Sequence, residues 1–354
     1  MPPTDQPRPG PVPIIVGPTA GGKSALAVEL AHSLASQGQA AELITADAFQ
    51  IYKGMDIGTA KPSIAERQGI PHHLLDLRDP RDPTPFTVHD WLRAAKAAID
   101  DIRSRGKQPI VVGGTHFYIK ALLDGLFEGP GADHALRDQL RAKGLPALRE
   151  ELERVDPDAA RRIHANDERR TIRALEVFHL TGKPISSHQT QWDAGPPSLK
   201  EGAGGGRQPR PGAQSPISPQ GSPSDIRHPT SDIPFRLIIL DWPSELINPR
   251  INARVKQMME AGFLDEVRAL NAAGAFGSGA NPQAREALGY KQLVDFLECR
   301  RSLEDAVERI KIDTRHFAKA QRTWLKRLRI TPGSFSIDCA GTPSGEWLAL
   351  VRDA

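Results

Sequence analysis

Only two cysteines, Cys299 and Cys339, occur in the 354 residues. They lie too far apart in sequence to suggest a disulfide framework, and no Cys/His spacing resembles a zinc site. Long apolar runs are also missing: nothing approaches the roughly 20 residues needed to cross a bilayer. Met1 to Gly10 is rich in proline and polar residues and has no apolar h-region. These absences point to a soluble cytoplasmic protein with free thiols and no membrane contact. A strong charge imbalance is absent as well, since 46 Lys+Arg face 43 Asp+Glu for a net charge of +3. So small an excess identifies no partner until its distribution along the chain is considered. The length exceeds one ordinary domain and suggests two.

What the chain does have begins at Pro13. Residues 13–24 read as a short apolar strand running into Gly17-Pro-Thr-Ala-Gly-Gly-Lys23-Ser24, and an amphipathic helical pattern follows. This is a phosphate cradle. Gly17, Gly21 and Gly22 tolerate the dihedrals that turn successive N–H groups inward, and the helix starting near Ser24 adds its positive end. Thr19 and Ala20 complete the loop, Lys23 reaches the outer phosphate, and the Ser24 hydroxyl is placed to hold Mg2+.

A second strand at Glu42–Ala46 delivers Asp47 beside this loop, because ligands of open α/β sheets lie outside the carboxyl ends of the strands. Further apolar runs at 109–112 and 237–241 complete a parallel sheet and make the fold α/β. The sheet is interrupted by a long excursion. The readings are a tail at 1–10, a first core part at 11–130, an all-helical insertion at 131–192 and a Gly/Pro/Ser-rich disordered linker at 193–234. The core resumes at 235–332 and a tail closes the chain at 333–354. The linker composition cannot bury enough apolar surface to offset its ordering entropy. His72 and His73 are adjacent and point apart, so a structural role is favoured over a metal site.

Near the C-terminus Lys311, Arg315, Lys319, Arg322, Lys326 and Arg329 recur at steps of three and four, confined to one helical face of about 80°. Ile310, Phe317, Trp324 and Leu328 fall opposite. The stripe suits either a solvated face or a polyanion. A second basic cluster, Arg161, Arg162, Arg169, Arg170 and Arg173, lies on the insertion.

The loop Gly17–Ser24 and the run Ala46–Pro62, with its Asp56-Ile-Gly-Thr-Ala-Lys61-Pro, together resemble the tRNA dimethylallyltransferases. Further matching runs lie at 71–76, 112–115, 166–176, 180–184, 240–243, 287–292 and 318–324. The resemblance covers about residues 12–192 and 235–330. It implies transfer of a dimethylallyl group from its diphosphate to N6 of adenosine 37, next to the anticodon, in tRNAs that read codons beginning with U. The cradle then holds a diphosphate with Mg2+, and the insertion clamps the anticodon stem-loop. Asp47 is the carboxylate placed to accept the proton of the poorly nucleophilic adenine amine. By resemblance Thr115 and Arg137 also touch the reacting ends. The resemblance likewise implies that Asp47, Ala48, Phe49, Gln50, Arg169, Arg170, Thr171, Ile172 and Arg173 contact the flipped anticodon loop and that Lys319 and Arg322 of the basic stripe follow the tRNA backbone. A monomer is expected. Two departures stand out: the family usually has Ser where Gly21 and Ala48 stand here. An ATP-using small-molecule kinase and a non-catalytic RNA-binding module remain alternatives on the residues alone. The first leaves the basic stripe without a purpose and the second leaves the cradle idle.

Overall fold

The computed structural model describes residues 10–127, 129–188 and 233–353. Most of the expected linker and of the N-terminal tail therefore lie outside the described residues. The chain divides into two compact units, residues 1–123 with 231–354, and residues 124–230.

The first unit opens with β1 (Val12–Val16), α1 (Lys23–Ser36), β2 (Ala41–Ala46), α2 (Ile64–Arg67), β3 (His72–His73), α3 (Val88–Ser104), β4 (Gln108–Gly113) and α4 (His116–Asp124). The second unit carries α5 (His134–Ala142), α6 (Leu145–Val155), α7 (Pro157–Arg162) and α8 (Glu168–Thr181). The first unit then resumes with β5 (Phe235–Asp241), α9 (Ser244–Glu260), α10 (Phe263–Ala272), α11 (Pro282–Arg285), α12 (Tyr290–Leu297), α13 (Leu303–Leu328), β6 (Phe335–Asp338) and α14 (Trp347–Asp353).

The six strands form one parallel sheet in the order β3-β2-β4-β1-β5-β6. Ile14 of β1 lies opposite Val111 of β4 and Leu237 of β5. Uninterrupted Ile/Val/Leu runs suit strands covered on both faces. Ile15, Leu43, Ile110 and Ile238 pack in one cluster with Leu26 and Leu30 of α1. Trp91 anchors α3 by donating Nε1–H to Thr45 O at 3.0 Å, and a reciprocal Thr87/Asp90 capping box starts that helix. At the end of β4 only glycine fits: a Cβ on Gly113 would meet Ala46 O at 2.2 Å. The ends of β2 and β4 therefore approach closely, where the ligand of such a sheet lies.

Between β1 and β2 in the sheet lies β4. Two findings depart from the sequence reading. The two-residue strand β3 is too short for any periodicity to show. The segment read as a closing tail instead supplies β6, which pairs in parallel with β5, and α14, whose Trp347 and Val351 are buried against the α1 side of the sheet. Only Ile337 of β6 is buried, so its apolar alternation is too slight to stand out.

In the second unit Leu140, Leu148, Leu152, Ile172, Leu175 and Val177 form a core of its own. Among the described residues no helix is long and apolar enough to cross a membrane.

Candidate active site

Between β1 and α1 the chain makes a tight loop with Ala20 at φ 60° and Gly22 at φ 87°. Gly22 offers α1 no side-chain cap, which leaves the first-turn N–H groups to an anion. Lys23 folds back over the loop, its Nζ donating to Pro18 O at 2.7 Å. Burial and the neighbouring Arg254 guanidinium lower its ammonium to about 8, against the pull of Asp47. Ser24 follows, exposed in the first turn.

Asp47 stands just past β2. Its Oδ1 accepts from Phe49 N at 2.9 Å and Gln50 N at 3.2 Å. Burial nevertheless raises its carboxyl above the ordinary range, outweighing those two bonds and the Lys23 and Arg254 charges. Thr115, just past β4, ties this turn to the sheet. Its N–H donates to Ala46 O and its Oγ1 accepts from Ala48 N, both at 3.1 Å. Since the Ala48 partner is a backbone amide, the alanine found there does not disturb this bond. Thr19, Lys23, Ser24, Asp47 and Gln50 border one pocket, joined by His72 and Arg254. A cation-lined phosphate loop and a half-buried carboxylate with a raised pKa thus share one small cavity.

Residues 50–328 match the IPP transferase family. A tRNA dimethylallyltransferase of Syntrophobacter fumaroxidans is 41% identical over 322 residues, covering 89% of this chain and 81% of the relative. One from Geobacillus thermodenitrificans is 40% identical, over 88% of this chain and 86% of the relative. The chain belongs to this transferase family. The crystal structure of the full-length tRNA isopentenylpyrophosphate transferase of Bacillus halodurans superposes with TM-score 0.62 at 32% identity, covering 97% of this chain and 94% of that one. A eukaryotic dimethylallyltransferase acting on tRNA gives TM-score 0.71 at 26% identity, over 97% of this chain and 77% of that one.

Within the family member described here, the Asp56–Pro62 run serves as scaffolding. Glu266 of α10 accepts from the backbone N–H groups of Asp56, Ile57 and Gly58 at 3.0, 2.7 and 3.3 Å, and from Tyr290 OH at 2.5 Å. Lys61, with its side chain 3% exposed, ties Asp56 and Asp76 together at 2.5 and 2.6 Å. Gln50 Nε2 donates to both Thr59 O and Ala60 O at 3.1 Å, so the loop holds a pocket-lining side chain in place.

Among the pocket residues that the sequence reading left unassigned, two are polar groups from distant helices. Arg254 is one, and its spacing of four from Arg250 on a helix just past β5 was the available signal. Gln321 is the other, a buried amide amid the cations of α13. It accepts from Thr19 N at 2.7 Å and donates to Gly114 O at 3.0 Å, joining the phosphate loop to the end of β4. His72 and His73 do point apart. His73 Nε2 meets Glu42 at 2.7 Å, while His72 pairs Nδ1 with Ile70 O at 2.8 Å and borders the pocket.

The basic stripe of α13 divides in two. Lys311 pairs with Glu308, Arg315 with Asn252 and Arg329 with Asp241. Lys319, Arg322 and Lys326 have no such partner among the described residues. On the opposite arc Ile310 and Leu328 are buried, but Phe317 is 41% exposed and opens onto the pocket.

The remaining assigned residues lie in the second unit. Arg137 makes a two-pronged pair with the fully buried Glu176, Nε and Nη2 both at 2.8 Å, and Arg173 adds a third contact at 2.5 Å. Arg169 and Arg170 are exposed on α8. Thr171 and Ile172, expected to touch tRNA, are instead core residues, 0% and 4% exposed. Thr171 spends its hydroxyl on Asp167 O at 2.8 Å. A five-residue motif on a helix cannot present every side chain outward, since neighbours are about 100° apart.

Proposed function

We propose that this chain transfers a dimethylallyl group from dimethylallyl diphosphate to N6 of adenosine 37 in tRNAs reading U-starting codons. The observation that supports this reading is that Asp47, Thr19, Lys23 and Ser24 line the same pocket. As the allylic carbon–oxygen bond breaks, charge grows on the diphosphate, and Lys23 with the loop amides stabilises it. N6 of adenine bonds to the allylic carbon while its proton passes to Asp47. Thr115 keeps the Asp47 turn in register. The adenine must leave its stack to enter, and the exposed Arg169 and Arg170 suit a role in gripping the anticodon stem-loop.

A Mg2+ ion fits through Ser24 Oγ. Ser24, exposed at the start of α1 and lining the pocket with Lys23, is the residue that would hold it. When bound, the ion neutralises charge on the departing diphosphate.

Incubation with dimethylallyl diphosphate and unmodified tRNA, followed by mass analysis of the nucleosides, is expected to yield N6-dimethylallyladenosine and diphosphate. Phosphoryl transfer from ATP to a metabolite, with no modified adenosine, would overturn the assignment in favour of a kinase. A second measurement separates the unpaired cations of α13 from a solvated face. Replacing Lys319 and Arg322 with Gln is expected to weaken tRNA binding and flatten its log–log salt slope by about one unit per lost phosphate contact. Affinity for the prenyl diphosphate should not change. An unchanged slope returns these residues to ordinary surface charge.

A further inference from the structure

The outer side of the phosphate loop is covered by side chains from distant parts of the chain. Trp242, one residue past β5 and 7% exposed, donates Nε1–H to Gly21 O at 3.0 Å. Arg250 of α9 donates Nε–H to Ala20 O at 3.1 Å, and its guanidinium carbon stands 4.7 Å from the centre of the Trp242 ring. Trp347 of α14 meets Trp242 edge to face, with centroids 5.9 Å apart and planes at 80°. A Cβ on Gly22 would lie 3.0 Å from the Trp347 ring, so the indole backs directly onto the loop.

A trans peptide is planar, and its C=O and N–H point in opposite directions. Tethering Gly21 O outward therefore turns the Gly22 N–H inward. Tethering Ala20 O likewise turns the Gly21 N–H into the loop, where it meets Pro18 O at 3.2 Å. Ala20 needs this help, for φ 60° lies in the left-handed region that residues with a Cβ seldom adopt. We propose that Trp242 and Arg250 are positioning residues that grip the loop carbonyls from behind: Trp242 turns the Gly22 N–H toward the diphosphate, and Arg250 holds the Ala20–Gly21 peptide whose N–H closes the turn on Pro18 O. The proposal rests on the reading of this loop as the diphosphate site. It also accounts for glycine at position 21, where a Cβ would stand 2.9 Å from Pro18 O and 3.2 Å from Trp242 Nε1. A side chain at position 21 would crowd both the Pro18 carbonyl and the indole.

The test compares the full chain with Trp242→Phe, which keeps an aromatic ring but loses the donor, and Arg250→Met, which keeps aliphatic bulk over the indole. Calorimetric titration with inorganic diphosphate in Mg2+ is expected to show about tenfold weaker binding for each variant, the scale of one lost hydrogen bond. KM for dimethylallyl diphosphate should rise in parallel while kcat moves less than about twofold, because the loop amides grip the diphosphate before and during reaction alike. tRNA affinity and melting temperature should stay at the wild-type values in Arg250→Met, whose side chain is exposed. Wild-type diphosphate affinity in a folded variant overturns the positioning role. Failure of the wild-type chain itself to bind diphosphate overturns the underlying site reading instead. If Trp242→Phe does not fold, Arg250→Met decides alone.

Discussion

Asp47→Asn is expected to lower the single-turnover rate by about 10²–10⁴ while leaving both substrates bound. The carboxylate sits past the end of β2, its carboxyl raised by burial, bordering the same pocket as Lys23. An amide keeps the size and one oxygen that can accept from Phe49 N and Gln50 N, so the turn survives, but it is far too weak a base for the adenine proton. The competing role is structural: those two accepted bonds would let Asp47 serve only as a turn cap. The two roles separate cleanly. A lost cap lowers melting temperature and weakens binding, whereas a lost base slows chemistry at full occupancy. A near-normal chemical step in Asp47→Asn removes this residue from the mechanism.

The second large effect belongs to Lys23. Lys23→Met is expected to reduce kcat/KM for dimethylallyl diphosphate by about 10²–10³, since a preorganised cation at the developing charge is lost. Its pH signature is more telling. With the ammonium lowered to about 8, the free enzyme carries this charge below that pH and loses it above, far earlier than an ordinary lysine. Wild-type kcat/KM should therefore fall as pH rises through about 8, and Lys23→Met should lack that limb. On the acid side activity should fall as Asp47 takes up its proton, at a pH above the usual carboxylate range because burial raises it. A pH–rate profile of both proteins checks this. An alkaline limb that persists in Lys23→Met assigns the titration to another group.

The phosphate loop and the place of Asp47 were readable from residues 13–24 and 42–47 because they are local, a strand, a turn and a helix start in unbroken succession, whereas Thr115 entered only through the family resemblance. Arg254 and Gln321 were not readable, although both border the same pocket. Each comes from a helix far along the chain, and only the packing of α9 and α13 on the sheet brings it in. The basic stripe shows the opposite failing. Periodicity placed six cations on one face, but it could not reveal that Glu308, Asn252 and Asp241 engage three of them. In the same way a motif match spread a tRNA role evenly over Arg169 to Arg173, where burial takes Thr171 and Ile172 out of reach.

The strand order also governs how such a chain can be made. β1 emerges near the N-terminus, yet one of its two partners, β5, begins only at Phe235. During synthesis the Val12–Val16 edge must therefore wait with its N–H and C=O groups unpaired on that side. Meanwhile α5 to α8, which close on a core of their own, can already fold. The wait ends when β5 docks, and β6 must follow it before the outer edge is paired. A chain stalled before Phe235 would present an apolar parallel edge to its neighbours, the kind of surface that seeds aggregation. The stretch of synthesis before β5 is made, rather than the making of the phosphate loop itself, is where this edge is open to misassembly.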